Sequence, residues 1–555
     1  MTTPLDLTAQ IAEICAQHGL IHVVISPGSR SAPLTVAFAR HPRLRVHMMV
    51  DERAAAFIAL GLAQQTQRPV ALVCTSGTAP LNYGPAVTEA YYQQLPLILL
   101  TADRPPEWLD QQDNQTSHQR NLFAGHVQAS YELPVDYSHP DALWYAERLM
   151  SEALNRARWP IPGPVHINIP LREPLYTPPR HDLPSPKVIQ LAPVESHLTE
   201  AIWQRLLTEW YDAPKRLVVA GLNPPDKALA QALSQLAAPV MADITANLSD
   251  ATVTHADMLL PTATRELAPD LLITFGGPVT SKHLKNFLRK HRPRAHWHIQ
   301  PSGLSPDTFQ CLTRVIPVQP TYFFHELAQR QASITANNAY LQSWRALENE
   351  AKITLDTFLS QAEFSEFTAM DHLLHALPVN SRLQLGNSMP IRYANLIGLP
   401  HFAGAINANR GTSGIDGTLS TAVGAALATE QITTLITGDL AFFYDRNGLW
   451  LSPVPPNLRV IILNNNGGGI FRLIDGPGQL SEAEITTYFT TPHTLTARHV
   501  AADHACRYFF CEDSVSLLAT LPDFFAPHAQ AAILEIKTDM TINGAVFEQF
   551  KAVFR

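Results

Sequence analysis

Two segments in the last third of the chain end in residues that could bind a metal ion. "TTLITGDL" (433–440) ends near Asp439, and "LRVIILNNNGGG" (458–469) ends in three asparagines and three glycines. The apolar, β-branched runs predict buried strands, and the asparagines and glycines predict turns after them. If the strands are parallel neighbours, a carboxylate, a carboxamide oxygen and a backbone carbonyl meet at one sheet edge. Hard oxygens of this kind suit Mg²⁺ that also binds phosphate oxygens.

The spacing between the two segments is what favours a site over a plain turn. An asparagine-rich loop alone is more often only a turn. Asp439 and Asn466, however, lie 27 residues apart, which is room for one helix and a return strand. A helix beginning near Leu440 would also offer free backbone N–H groups to a diphosphate, with Gly438 beside them.

Composition excludes several classes of protein. The 555 residues are 46% hydrophobic and 16% charged, which indicates large buried cores rather than disorder. The net charge of -8 gives no support to nucleic-acid binding. We find no apolar run long enough for a membrane span and no signal sequence at the start. The five cysteines are odd in number and widely spread, which predicts a reduced, cytoplasmic protein.

Strand, turn and helix patterns alternate throughout, which predicts an α/β protein with mainly parallel sheets in three doubly wound domains. "PLREPLYTPPRHDLPSPK" (170–187) holds six prolines and indicates an interdomain linker. The predicted domains are residues 1–180, 188–335 and 360–555. In such sheets ligands bind beyond the carboxyl ends of the strands.

The pair "GDL…NNNGGG" resembles the metal and diphosphate signature of thiamine-diphosphate enzymes. The resemblance implies that Asp439, Asn466 and Gly468 bind Mg²⁺ or Mn²⁺, and that the three domains are pyrimidine-binding, middle and diphosphate-binding. It also requires a glutamate in the first domain, and "MMVDERAAAFIALGLA" (48–63) supplies Glu52 at a strand end. Alone, Glu52 would be read as an acid in a first helical turn.

The cofactor's chemistry gives Glu52 a role. A carboxyl group bonded to the aminopyrimidine ring can exchange a proton with it, which acid–base catalysis requires. In "NRGTSGIDG" (409–417), Ile415 between glycines could support the folded cofactor, although an apolar residue is as often ordinary core. Because Glu52 and Asp439 lie in different domains, the resemblance places the cofactor between two subunits, in a dimer or tetramer.

Four segments resemble one subfamily, the 2-succinyl-5-enolpyruvyl-6-hydroxy-3-cyclohexene-1-carboxylate synthases of menaquinone biosynthesis. They are "SPGSRSAPL" (26–34), "LTADRPPE" (100–107), "GNSMPIR" (386–392) and "NRGTSGIDG". The similarity is strong in the first and third domains and weak in the middle one. It implies decarboxylation of 2-oxoglutarate and addition of the succinyl carbanion equivalent to isochorismate.

Both substrates are dicarboxylates, which arginine binds in a two-pronged manner. One arginine alone would more often be a surface ion pair, but four lie in segments that match the subfamily. "TSKHLKNF" (280–287) has Lys282 where the subfamily carries a basic pair, and the second member here is His283. The residues predicted to contact substrate are Ser29, Arg30, Arg104, Asn114, Gln115, Lys282, Arg392, Arg410, Ile470 and Phe471, and Ser388 is predicted to contact the cofactor.

Two alternatives remain open at the level of sequence. An acetolactate-synthase-like carboligase would use pyruvate and would need one small-acid pocket rather than four arginines. A non-catalytic subunit would keep the fold but fail to bind thiamine diphosphate.

Asp439→Ala should abolish metal-dependent cofactor binding. A ligand at 100 times its Kd stabilises the folded state by about 2.7 kcal/mol. The unmodified chain should therefore melt higher with thiamine diphosphate and Mg²⁺, and the variant should not, as measured by thermal melting. An undiminished shift in the variant would remove Asp439 from the metal site.

Overall fold

Three parallel β-sheets follow one another along the chain in the computed structural model, which describes residues 4–176, 185–248, 251–331, 339–399, 402–473 and 480–554. All strand pairs within the three sheets are parallel. The predicted α/β class with three parallel sheets is therefore confirmed. Part of the predicted linker, residues 177–184, lies outside the described residues.

The first sheet has the strand order β2-β1-β3-β4-β6-β5. Its strands are β1 (His22–Ile25), β2 (Arg45–Met48), β3 (Val70–Cys74), β4 (Leu97–Asp103), β5 (Ala129–Glu132) and β6 (Val165–Pro170). Its helices are α1 (Pro4–Gln17), α2 (Ala32–Arg40), α3 (Glu52–Thr66), α4 (Gly84–Gln93) and α5 (Pro140–Arg156).

The second sheet has the order β11-β10-β9-β7-β8. Its strands are β7 (Arg216–Ala220), β8 (Val240–Ala242), β9 (Leu271–Phe275), β10 (Ala295–Ile299) and β11 (Arg314–Ile316). Its helices are α6 (Glu200–Tyr211), α7 (Lys227–Ser234), α8 (Ala256–Leu259), α9 (Lys282–Lys290) and α10 (Pro320–Arg330). The long helix α11 (Ala339–Gln361) leads to the third sheet.

The third sheet has the order β13-β12-β14-β15-β17-β16. Its strands are β12 (Arg382–Leu385), β13 (Ala405–Ala408), β14 (Thr433–Gly438), β15 (Leu458–Asn464), β16 (Arg507–Cys511) and β17 (Ala532–Lys537). Its helices are α12 (Glu366–Ala376), α13 (Met389–Ile397), α14 (Thr418–Leu427), α15 (Asp439–Tyr444), α16 (Ile470–Leu473), α17 (Glu482–Glu484), α18 (Arg498–Asp503), α19 (Ser514–Phe525) and α20 (Met540–Val553).

The alanine-rich helix α3 is the centre of a core shared by the first and third sheets. Residues 54–64 of this helix are all buried, and α14 is buried from Thr418 to Ala426. A helix without a polar face must be covered on every side. The two helices cover each other, and apolar residues of both sheets complete one continuous cluster.

Glycines allow α3 and α14 to approach this closely. A Cβ atom at Gly61 would lie 2.0 Å from the carbonyl oxygen of Thr421. A Cβ atom at Gly424 would lie 2.0 Å from the carbonyl oxygen of Ile58. Real Cβ atoms do not come so near a carbonyl, so the crossing requires glycine on both helices.

A buried carboxylate of the first domain holds a loop of the third. Glu89, on α4, is 2% exposed. One of its carboxylate oxygens accepts from the Gly411 backbone N–H at 2.6 Å. The other accepts from the N–H and the hydroxyl of Thr412, at 2.6 and 2.7 Å. These bonds fix the start of the 409–417 loop against α4.

Within the described ranges, no helix combines the length and the apolarity needed to cross a membrane.

Glu89→Gln should destabilise the fold. The glutamine side chain has an NH₂ donor in place of one accepting oxygen. A buried N–H group of the loop then has no acceptor, and an unpaired buried group costs about 1–3 kcal/mol of stability. We expect a lower midpoint of urea denaturation for the cofactor-free chain. Glu107→Gln is the control, because the Glu107 carboxylate is half exposed and forms an ion pair with Arg172. Equal decreases of the denaturation midpoint in both variants would mean that the Glu89 hydrogen bonds stabilise the fold no more than an exposed ion pair does.

Candidate active site

The two segments that opened the sequence analysis are neighbours in the third sheet. Strand β14 pairs in parallel with β15, and Gly438 lies opposite Leu463. The carboxyl ends of both strands therefore meet, as the sequence predicted. The Gly467 N–H donates to Oδ2 of Asp439 at 3.0 Å, which joins the loop after β15 to the first residue of α15.

The glycines in this loop are explained by close contacts. Asn466 has a left-handed backbone conformation with φ of 65°. A Cβ atom at Gly467 would lie 2.6 Å from the Thr490 carbonyl oxygen, and one at Gly469 would lie 2.8 Å from the amide nitrogen of Asn465. The Gly468 N–H donates to the same Thr490 carbonyl at 2.7 Å. The loop thus turns tightly against the backbone of Thr490.

Asp439 is a buried carboxylate in a polar setting. Its Oδ1 accepts from the Leu440 backbone N–H at 2.7 Å. This N–H group at the start of α15 is therefore already bonded to Asp439. Nε2 of His493, a residue that the sequence analysis did not select, lies 3.2 Å from Oδ2 of Asp439. Burial raises the pKa of Asp439, and the bond from Leu440 opposes that rise.

The residues at this edge include the oxygen types that divalent cations prefer. Asp439 offers a carboxylate, Asn466 a carboxamide oxygen and Gly468 a backbone carbonyl, which are the hard oxygens that Mg²⁺ and Mn²⁺ prefer. The Asn466 oxygen already contacts a cation, because it accepts from the ammonium of Lys537 on β17. A buried carboxylate such as Asp439 is also stabilised by a nearby positive charge.

A second buried acid, Glu366, supports this loop and was not found from the sequence. Nδ2 of the Asn465 side chain donates to Oε1 of Glu366 at 2.6 Å, and Oδ1 of the same side chain accepts from the Gly467 N–H at 3.1 Å. Burial, followed by the negative charge of Asp439, raises the pKa of Glu366 to about 8. Glu366 is therefore mainly protonated at neutral pH and adds little negative charge near Asp439. Its sequence signal is only that of a helix start.

Glu52 lies where the sequence placed it, at the first position of α3. Asp51 caps the helix by accepting from the Arg53 and Ala54 N–H groups. Glu52 is half-buried, and burial raises its pKa. Among the contacts of the described residues, none joins Glu52 to Asp439. One chain therefore does not bring these two predicted residues into contact.

The Ile415 residue is 41% exposed, which is a large exposed fraction for an isoleucine in a loop that is fixed on both sides. A Cβ atom at Gly417, whose φ is 67°, would lie 2.1 Å from the Phe57 ring, so the loop lies directly against α3. Ser388, at the start of α13, has a φ of 76°. An exposed apolar side chain in a fixed, glycine-flanked loop suits a flat apolar ligand.

Asn387 joins the two loops that carry Arg392 and Arg410. Its amide donates to the carbonyl oxygens of Asn409 and Gly414 at 2.7 and 2.6 Å. Oδ1 of the Asn387 side chain accepts from Nη1 of Arg410 at 3.0 Å. Arg392 donates to the Ser388 carbonyl within its own helix. Burial lowers the pKa of both guanidinium groups, and Arg410 further lowers that of Arg392.

The middle domain adds charges to this arginine pair. Burial, and then the charge of Arg410, lowers the pKa of Lys285, one turn into α9. Asp243, which follows β8, and Asp257 oppose that shift and therefore lie close by. Burial raises the pKa of Asp243 itself to about 6. Lys285 was not selected from the sequence, where the basic position was assigned to Lys282.

Lys282 and His283 are exposed. The contacts of the described residues do not link either of them to Arg392 or Arg410. Ile470 and Phe471 are half-buried at the start of α16, and the Phe471 ring lies 5.4 Å from that of Phe489.

The predicted substrate residues of the first domain form a separate group. Nη1 of Arg30 donates to the Leu171 carbonyl at 2.9 Å. Arg104 donates to the Asn114 carbonyl at 3.0 Å and lies 3.5 Å from Asp113. The positive charge of Arg104 lowers the pKa of Arg30, after burial, so the two are close. Ser29, Asn114 and Gln115 are exposed in the same loops. No described contact joins this group to Arg392 and Arg410.

Comparison with known proteins identifies two families along the chain. Residues 5–123 match the thiamine pyrophosphate enzyme, N-terminal TPP binding domain. Residues 188–385 match the middle domain of thiamine pyrophosphate enzymes. Thiamine pyrophosphate is the same compound as thiamine diphosphate, so the first match supports thiamine diphosphate as the cofactor.

Curated relatives cover nearly the whole chain. A 2-succinyl-5-enolpyruvyl-6-hydroxy-3-cyclohexene-1-carboxylate synthase of Cytophaga hutchinsonii is 43% identical over 98% of this chain and 97% of its own length. A protein of the same name from Porphyromonas gingivalis is 38% identical over 97% and 96%. One from Desulfotalea psychrophila is 43% identical over 84% and 87%.

Such identity across all three sheets shows that the chain belongs to the 2-succinyl-5-enolpyruvyl-6-hydroxy-3-cyclohexene-1-carboxylate synthase family of thiamine diphosphate enzymes.

Proposed function

We propose that the chain decarboxylates 2-oxoglutarate and adds the succinyl carbanion equivalent to isochorismate, a step of menaquinone biosynthesis. The observation that carries the proposal is the setting of Arg410. Its guanidinium is held by Asn387 and lies close to the cations of Arg392 and Lys285. Its Nε atom is buried without a hydrogen-bond partner among the described residues. A carboxylate of a substrate would satisfy that donor.

Metal and diphosphate binding at the third sheet is part of the same proposal. Asp439, Asn466 and Gly468 would hold Mg²⁺ or Mn²⁺, and Gly438 and Leu440 would lie beside the diphosphate. Thiamine diphosphate, when bound, supplies the electron sink that decarboxylation of a 2-oxo acid requires. The protonated Glu366 would help the metal site by holding Asn465 without adding a full negative charge.

Glu52 and Ile415 would act on the other parts of the cofactor. A half-buried carboxyl group with a raised pKa is suited to exchange a proton with the aminopyrimidine ring. Ile415 would support the folded cofactor through its exposed side chain, with Ser388 near by. Fixed loops around both residues reduce the ordering that ligand binding requires.

The two arginine groups suit two dicarboxylate substrates. Arg392 and Arg410, with Lys285, form one group, and Arg30 and Arg104 form the other. Ser29, Asn114 and Gln115 would add neutral contacts in the second group, and Ile470 and Phe471 apolar ones at the diphosphate-binding edge. Lys285 would add a cation to the first group, because it lies near Arg410, and Lys282 stays a predicted substrate contact.

The separation of these groups supports an active unit of at least two chains. Glu52 and the first-domain arginines do not meet Asp439, Arg392 and Arg410 within one chain, so we propose that a second subunit completes each site. The domain limits 1–180, 188–335 and 360–555 and a cytoplasmic location belong to the same proposal. The five cysteines are unpaired, which agrees with a reducing compartment.

The direct test is mass spectrometry of the products formed from 2-oxoglutarate and isochorismate, with thiamine diphosphate and Mg²⁺. We expect carbon dioxide and the succinylated adduct of isochorismate. In a parallel reaction, pyruvate alone should give no carboligation product. Acetolactate from pyruvate, with no adduct in the first reaction, would favour the alternative carboligase. Lack of both products and of cofactor binding would indicate a non-catalytic subunit.

Glu52→Gln should separate catalysis from binding. The amide retains size and hydrogen bonding but cannot exchange a proton, and positioned acid–base groups contribute about 10²–10⁴-fold to rate. Turnover should fall by that factor, and the melting shift given by thiamine diphosphate and Mg²⁺ should remain. Asp439→Ala is the opposite control, because it should lose the shift. Unchanged hydrogen–deuterium exchange at the cofactor's thiazolium carbon in Glu52→Gln would reduce Glu52 to a helix-start acid.

Lys285→Met should weaken substrate use without affecting the cofactor. Losing a charge-assisted contact costs about 1.5–3 kcal/mol, so kcat/KM for one dicarboxylate should fall roughly 10- to 150-fold. The cofactor-dependent melting shift should be retained. Lys290→Met is the matched control, since Lys290 is exposed at the other end of the same helix. Equal kinetics in the two variants would place Lys285 outside the substrate pocket.

A further inference from the structure

The middle domain contains a group of side chains of the types that bind metal ions, which the proposed reaction does not use. His296 is the second residue of β10, and Asp307 and Cys311 lie in the loop between β10 and β11. One potential ligand atom from each residue lies within 4.8 Å of the other two. Because all strands are parallel, this group is at the amino end of the second sheet, opposite the carboxyl end from which Asp243 and Lys285 extend.

The separation of two of these atoms suits an ion of the size of zinc. Nδ1 of His296 lies 3.7 Å from Sγ of Cys311. Zinc bonds of about 2.3 Å to sulfur and about 2.05 Å to nitrogen, at a tetrahedral angle, separate the two ligands by about 3.5 Å. The observed separation is therefore close to what coordination needs, and little movement of either residue would be required.

The surroundings of His296 hold its ring in place. The side chain is 1% exposed, and its Nε2 lies 2.8 Å from the Thr274 hydroxyl oxygen. When Nε2–H donates to that oxygen, Nδ1 presents a lone pair toward Cys311. A hydrogen bond from the ring nitrogen that does not bind the metal is the usual means of orienting a metal-binding histidine.

The loop that carries the other two ligands is also held. Oδ1 of Asp307 accepts from the backbone N–H groups of Cys311 and Leu312, at 2.8 and 3.0 Å. Nε of Arg289, on the last turn of α9, donates to the Thr308 carbonyl at 2.9 Å. Asp307 and Cys311 are thus fixed relative to each other, and the aspartate retains lone pairs for a further ligand.

We propose that His296, Asp307 and Cys311 bind one divalent ion of the zinc class, with water as the fourth ligand. A set of one nitrogen, one sulfur and one oxygen favours a borderline-soft ion over Mg²⁺, which prefers oxygen alone. The metal–sulfur bond forms as the Cys311 thiol releases its proton to solvent.

Co²⁺ is the probe, because its bond to a thiolate gives a charge-transfer absorption that oxygen ligands do not give. The full chain is first treated with chelator and kept free of thiamine diphosphate and Mg²⁺. We expect one equivalent of Co²⁺ to give this absorption, and one equivalent of Zn²⁺ to remove it. Cys311→Ser should lose it. Cys506→Ser, which alters another half-buried cysteine, should retain it.

Two further variants make the result decisive. Asp307→Asn keeps the oxygen that accepts from Cys311 and Leu312 but loses the charge. Its Zn²⁺ affinity should fall by more than about 100-fold, since losing a partner of a ligand alone costs 10- to 100-fold. Asp439→Ala should leave the Co²⁺ absorption unchanged. The proposal is overturned if the unmodified chain gives no thiolate absorption, or if Cys311→Ser retains it while melting like the unmodified chain.

Discussion

Helices α3 and α14 approach so closely that only glycine fits where they cross, and much of the candidate site is positioned by that contact. Gly61 and Gly424 each lie against a carbonyl of the opposite helix. Glu52 begins α3, and the loop with Arg410 and Ile415 leads into α14. A side chain at either glycine would push the first and third sheets apart. The position of Glu52 and that of the 409–417 loop therefore depend on the same backbone contact.

Buried acids play several different parts in this chain. Glu89 satisfies backbone N–H groups and acts as a fixed tether. Glu366, with a pKa raised to about 8, acts mainly as a neutral partner of Asn465. Asp243 lies near Arg410 with its pKa raised to about 6. The cost of burying a carboxylate is met by hydrogen bonds in the first case and by protonation or a nearby cation in the others.

Much of the fold was predictable because the governing signals are local. Strand ends, helix caps and the rule for parallel strands sufficed to bring Asp439 and Asn466 to one edge and to place Glu52 at a helix start. Lys285, His493 and Glu89 were missed, since each is an ordinary helix or loop residue in sequence. Their surroundings come from contacts between segments distant along the chain.

The Glu89 tether also limits how this protein can be divided or recombined. A third domain produced as a separate fragment would lack the carboxylate that orders residues 411 and 412, and its 409–417 loop would lose a fixed shape. The shape of the loop therefore depends on residues of two domains, and a chimera joined at the linker would separate Glu89 from the loop that it holds.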